Sequence, residues 1–175
     1  MKALILTLGL SLVAALLPPA RSEQSSDLLG KWYLKALIPD NDDNPESTTE
    51  STTPVMLTPL DSTRDIDGEY TALIQGHCHQ FKSTLKKLRG PGAYLAESEN
   101  TLMFFKPLPV KDHYVVYCVM YSQGRVIRTA KLIGRDMSRI QESLEALKKD
   151  ASANGYDPDR VIIPRQTDTC PADEQ

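Results

Sequence analysis

Beyond residue 22 the chain has no apolar run long enough to anchor it in a bilayer, no Asn-x-Ser/Thr acceptor, no internal repeat and no stripe of basic residues interleaved with aromatics. The first absence excludes a helical membrane anchor, and the second excludes N-glycosylation. The last, with a formal charge of −3 at neutral pH, excludes nucleic acid as a partner, because an acidic surface repels phosphate backbones. Tryptophan occurs once, and histidine and cysteine three times each. From so few nucleophiles and bases no catalytic constellation can be assembled, so the sequence reads as a non-enzyme, and no cofactor motif is found.

What is present begins with a leader. Lys2 precedes an unbroken apolar run, residues 3–17, which is too short to span a membrane and is followed by small residues at Ala20 and Ser22. This pattern predicts a signal peptide over 1–22 and a secreted, extracellular protein from residue 23. Its removal takes away Lys2 and Arg21 and no acid, which moves the formal charge from −3 to −5. The remaining chain, 23–175, has room for one domain with a substantial core.

Three cysteines in a secreted chain imply one disulfide and one free thiol, and three pairings are open. Cys170 lies in a polar tail that is free to reach a strand, whereas Cys118 sits among apolar neighbours, Tyr117 and Val119. Cys78–Cys170 is therefore the expected bridge, and Cys118 the expected buried thiol. His77 and His79 would share one face of a strand, as a chelating pair could, but no third ligand is evident and no metal site is expected.

The region between leader and tail is β-rich. Residues 31–38 alternate, with Trp32, Leu34 and Ala36 on one face, and Pro39 closes the run. Residues 40–53 form a long acidic, Ser/Thr-rich stretch, read either as a solvated loop or as a lid over a binding site. Further strands are expected at 55–60 (Val55 and Leu57 on one face), at 69–75 after an Asp67-Gly68 turn, and at 77–88. Four more follow at 93–96, 101–105, 112–121 and 125–133. Strand 112–121 is apolar on both faces, as a wall covered on both sides would be. Strand 125–133 carries a cation inward in either phase. The period then changes: Met137, Ile140, Leu144, Leu147 and Ala151 make the stripe of one amphipathic helix over about 137–153, with Asp136 as N-cap and Gly155 as stop. A last short strand is expected at 161–163. The fold class is all-β: an eight-stranded up-and-down antiparallel barrel over about 30–134 with one C-terminal α-helix packed outside, and a disulfide-tethered tail over 156–175.

The chain is organised around Gly30-Lys31-Trp32-Tyr33. A glycine two residues before the lone tryptophan suggests a bend that lets the indole plug one end of a β-structure. Arg135, which follows the last strand, can stack on that ring and donate to nearby carbonyls. With Gly30-x-Trp32, the Lys111-Asp112-His113-Tyr114 element and Arg135 in this order, the chain resembles the lipocalin family; residues 30–36, 110–114, 132–136 and 163–166, with Cys170, are similar to the tear lipocalin and von Ebner's gland protein subgroup, and to marsupial late-lactation proteins. Gly30, Trp32, Asp112, Tyr114 and Arg135 match the family's structural motifs. The resemblance implies a calyx that carries small hydrophobic molecules such as fatty acids, lipids and odorant- or retinoid-like ligands. Its wall would draw on Val55, Leu57, Leu73, Phe81, Tyr114, Val116, Cys118 and Lys131, with Lys131 inward to meet a ligand carboxylate. The alternative is a secreted interaction protein whose acidic 40–53 loop engages a cell-surface receptor or a protease.

Overall fold

The computed structural model describes residues 26–60 and 64–170. The expected leader at 1–22 and the last tail residues, 171–175, lie outside them. Ten strands form one sheet: β1 (Gly30–Pro39), β2 (Thr49–Thr52), β3 (Val55–Pro59), β4 (Ile66–Ile74), β5 (His77–Lys87), β6 (Ala93–Ala96), β7 (Thr101–Pro107), β8 (His113–Ser122), β9 (Arg125–Gly134) and β10 (Arg165–Gln166). Pairing of β4 with β5 closes the sheet into a barrel. Both β2 and β3 run along β4, from Thr49 opposite Ile74 to Pro59 opposite Ile66, and so fill one position in the ring. The break between them falls at Thr53-Pro54, where proline has no N–H to give a ladder. The ring therefore has eight positions, with β10 added outside it, parallel to β2.

Alternation explains the two layers. Trp32, Leu34, Leu57, Leu85, Phe105, Val116 and Ile133 gather inside the barrel, whereas Ala36, Ile38, Val115, Ala130 and Leu132 gather outside it under Leu147 and Ala151 of the helix. Neighbouring residues Val115 and Val116 thus serve different cores, as the two-faced apolarity of this strand predicts. In β1 the phase is not the simple alternation expected. Leu34 faces Ile133 and Ala36 faces the adjacent Leu132, so Lys35 is an extra, bulged residue and Ala36 turns outward. Lys35 is fully buried; its Nζ donates to His113 Nε2 at 2.7 Å and to the Ser138 carbonyl at 2.5 Å. A Cβ at Gly134 would sit 2.7 Å from His113 Nε2 and 2.9 Å from Lys35 Cδ, so this close approach requires glycine.

Other boundaries differ from expectation. Asp67-Gly68 is no turn but part of β4, opposite Thr84 and Ser83. The 40–53 stretch contains a short 3-10 turn, Pro45–Thr48, and then β2. The helix α1 spans Ile140–Ala153; Arg139, at φ 53°, holds the position before it, and Asp136 instead accepts from the Ser138 N–H at 2.9 Å. Met137 therefore lies outside the helix and is 40% exposed. The expected strand at 161–163 is a single bridge, Leu37 to Ile162. Asp150 pins α1 to the barrel by accepting from Tyr117 Oη and, at 2.5 Å, from Lys106 Nζ. Cys78 and Cys170 are joined, across 92 residues of sequence, and Cys118 is free and buried.

Candidate functional site

The two ends of the barrel are built differently. At one end Trp32, 1% exposed, donates from Nε1 to the Leu28 carbonyl at 2.7 Å and meets Tyr114 edge-on, with ring centroids 5.4 Å apart. The Arg135 guanidinium lies 3.7 Å from the indole centroid and donates to the Lys31 and Asp27 carbonyls at 3.0 and 2.8 Å. Gly30 has φ +101°, and a Cβ there would come within 3.2 Å of Arg135 Nη1. The Arg135 N–H donates to the carbonyl of Asp112, itself at φ 59°. Gly30, Trp32, Asp112, Tyr114 and Arg135 thus converge on one plug, which seals this end.

Above the plug a cavity of about 350 Å³ opens. Leu34, Leu57, Leu85, Phe105, Val116 and Ile133 line its depth, and Pro45, Glu46, Ile74 and Gln75 line it towards the other end. Tyr70 and Phe81, opposite each other on β4 and β5, stack at 4.7 Å and form an aromatic shelf. The wall is mainly apolar with a few polar groups, as in sites for small organic molecules. No cluster of three metal-ligating side chains occurs among the described residues; His79 lines the cavity and His77 is exposed.

Of the residues expected on the wall, Val55, Leu57, Phe81, Val116, Cys118 and Lys131 line the cavity. Leu73 does not. It is 8% exposed but shares the outer face with its cross-strand neighbour Cys78, where the disulfide brings the tail across. Ala72, Leu73 and Ile74 are all buried, so their apolarity holds no phase information, and the inward residues are Gly68, Tyr70 and Ile74. Tyr114 also leaves the wall: it faces inward but at the level of Trp32, as part of the plug.

Among the described residues, Lys131 is the one lysine or arginine that lines the cavity. Its Nζ donates to Glu46 Oε1 at 2.5 Å and to Tyr70 Oη at 3.3 Å. Burial works against its charge, but Glu46 and Tyr70 outweigh this and hold its pKa well above the usual lysine range. Burial pushes the Cys118 thiol up to about 11 and raises the Glu99 carboxyl, which lines the same cavity. A thiol so protonated is a poor nucleophile.

Glu46 is not among the residues singled out in the sequence, where its loop reads either as a solvated stretch or as a lid. The signal was present: Asn44-Pro45 is a capping residue followed by proline, the start of a helical turn. Asn44, 2% exposed, donates to the Arg128 carbonyl at 3.1 Å and to Thr129 Oγ1 at 3.0 Å, and its Oδ1 accepts from the Glu46 N–H at 3.0 Å. The loop's other acids also turn to the barrel or tail: Asp40 and Asp43 meet Arg128 and Arg125, and Asp42 meets Arg160.

Comparison with known proteins agrees with this geometry. A family model described as "Lipocalin / cytosolic fatty-acid binding protein family" matches residues 29–168. Lipocalin-1 of Sus scrofa is 40% identical over 173 residues, covering 97% of each chain, and von Ebner gland protein 1 of Rattus norvegicus is 37% identical over 174 residues, covering 98% of each. A solved structure of a siderocalin, Ex-FABP, described as functioning through dual ligand specificities, superposes with a TM-score of 0.69 over 81% of this chain and 95% of its own. At 19% identity that likeness speaks for the fold alone.

Proposed function

The chain belongs to the lipocalin and cytosolic fatty-acid binding protein family, and from that premise we propose that it is a secreted carrier of small hydrophobic molecules, held in the barrel cavity without being chemically changed. One observation carries the reading: an apolar cavity of about 350 Å³, closed beneath by Trp32 and bordered above by an anchored loop. That volume falls in the range of about 300–1,000 Å³ usual for small-molecule sites. Secretion is supported by the Cys78–Cys170 disulfide, which belongs to oxidising compartments, and by the leader pattern of the first residues. No helix among the described residues is long and apolar enough to cross a membrane. The engagement of Asp40, Asp42, Asp43 and Glu46 with the body of the protein favours a lid over a receptor-seeking acidic arm.

The test is titration of the folded protein with N-phenyl-1-naphthylamine, which is uncharged at neutral pH and brightens in apolar surroundings. One saturable site, emptied by straight-chain lipids and blocked by Val116→Trp, is the expected result. A folded sample with no saturable enhancement would remove the carrier reading.

A further inference from the structure

We propose that the cavity selects uncharged amphiphiles, such as long-chain alcohols and esters, over carboxylates, and that Glu46 sets this preference. The inference rests on the carrier reading above and concerns the head group of its ligands. A lysine inside an apolar barrel would by itself be an anchor for a fatty acid. Here the anchor is already taken. Lys131 Nζ lies 2.5 Å from Glu46 Oε1, and the two side chains are only 13% and 19% exposed.

The placement of Glu46 is built into the fold. Asn44 bonds to Arg128 and Thr129, and Thr129 stands two residues from Lys131 on the same inward face of β9. The Asn44 side chain also fixes the backbone of Glu46. The loop is thus fastened to the strand that presents the lysine, and it delivers the carboxylate to the ammonium. A second acid, Glu99, lines the same cavity.

An incoming carboxylate would meet no free cation and a second acidic group. It would have to lose its hydration for the lysine's one remaining donor, beside two acids of its own sign, or drive Glu46 out to solvent, and either lowers its affinity. A hydroxyl or ester head needs neither. An ammonium has three donors, of which Glu46 and Tyr70 take two, and a carboxylate offers about four lone-pair sites. A neutral head group can therefore use the remaining donor and the spare oxygen of Glu46 without breaking the pair.

The experiment is displacement of N-phenyl-1-naphthylamine from the folded, full chain by dodecanol, methyl laurate and lauric acid at pH 7.5. Wild type should bind the alcohol at least about tenfold more tightly than the acid, a difference of about 1.4 kcal/mol. Glu46→Gln keeps the hydrogen bond but frees the lysine's charge, and should raise the acid relative to the alcohol by about tenfold or more. Glu99→Gln should shift the ratio in the same direction by less. A variant that merely loosens the lid would change both ligands together, so the alcohol-to-acid ratio separates specificity from structure. Acid bound as well as alcohol by wild type, or a ratio unmoved in a folded Glu46→Gln, overturns the proposal and leaves the carrier reading standing. The wild-type ratio decides alone if the variant does not fold. Absence of any probe binding by folded wild type overturns both.

Discussion

The barrel holds one cation over its plug and another in its cavity wall, and the two are satisfied in opposite ways. Arg135 lies 3.7 Å from the Trp32 ring and uses backbone carbonyls as acceptors, with no acid bonded to it among the described residues. Lys131 is held in an apolar wall by a carboxylate that a loop brings to it. The planar, weakly hydrated guanidinium can stack and donate sideways, whereas an ammonium is a compact charge that loses strong hydration on burial. The partners of Arg135 are main chain and core, so that end should govern stability. The partner of Lys131 is a side chain that can turn away, so the cavity wall should govern binding.

The largest effect is expected where the plug is removed. Trp32→Ala should cost about 3–5 kcal/mol in urea unfolding, since it leaves a hole beneath the cavity. A loss below about 1 kcal/mol would mean that Leu28, Tyr114 and Arg135 hold that end unaided. Next comes the tether. Cys170→Ser opens a loop of 92 residues and should cost about 2–5 kcal/mol, readable by the same unfolding midpoint and by reduction of wild type. Arg135→Ala should cost about 1–3 kcal/mol and shift the emission of the lone tryptophan to the red, with naphthylamine affinity within about twofold of wild type. A large loss of affinity at unchanged stability would place Arg135 in the binding site and erase the contrast.

The smallest stability change is expected at Lys131. Lys131→Met should cost less than about 1 kcal/mol, because the apolar methionine suits the wall and Glu46 can swing its carboxylate to water. The pH dependence has a definite sign. The folded pKa of Lys131 lies above its ordinary value of 10.5, so its contribution is present below that pH and is lost as pH rises towards the folded value. Wild type and Lys131→Met should therefore differ in stability at pH 8, and the gap should narrow as pH rises beyond 10.5 towards the folded value. A gap that widens with pH would reverse the assignment.

The limits of the sequence are instructive at particular residues. Leu73 was misplaced because Ala72, Leu73 and Ile74 are buried on both faces, so alternation is silent about phase there. Tyr114 has the inward phase but belongs to the plug, because depth along the barrel axis depends on stagger between strands rather than on period. The turn read at Asp67-Gly68 failed because this glycine serves close packing instead: a Cβ there would meet Leu57 Cδ2 at 3.2 Å. The stripe that begins at Met137 runs ahead of the helix because periodicity cannot see the left-handed residue at Arg139.

Resemblance to the lipocalins chose Lys131 as the inward cation of strand 125–133; by itself the sequence determined the all-β class, eight of the strands, the Trp32–Arg135 plug and the tail disulfide. Each depends on local period or on a residue type with few other uses. Only the tertiary structure decided that Lys35 bulges and turns Ala36 outward, that Leu73 lies behind the wall, and that Glu46 meets Lys131 across 85 residues. The physical reason is common to all three: register and loop closure bring together groups distant along the chain, and no local pattern encodes that distance.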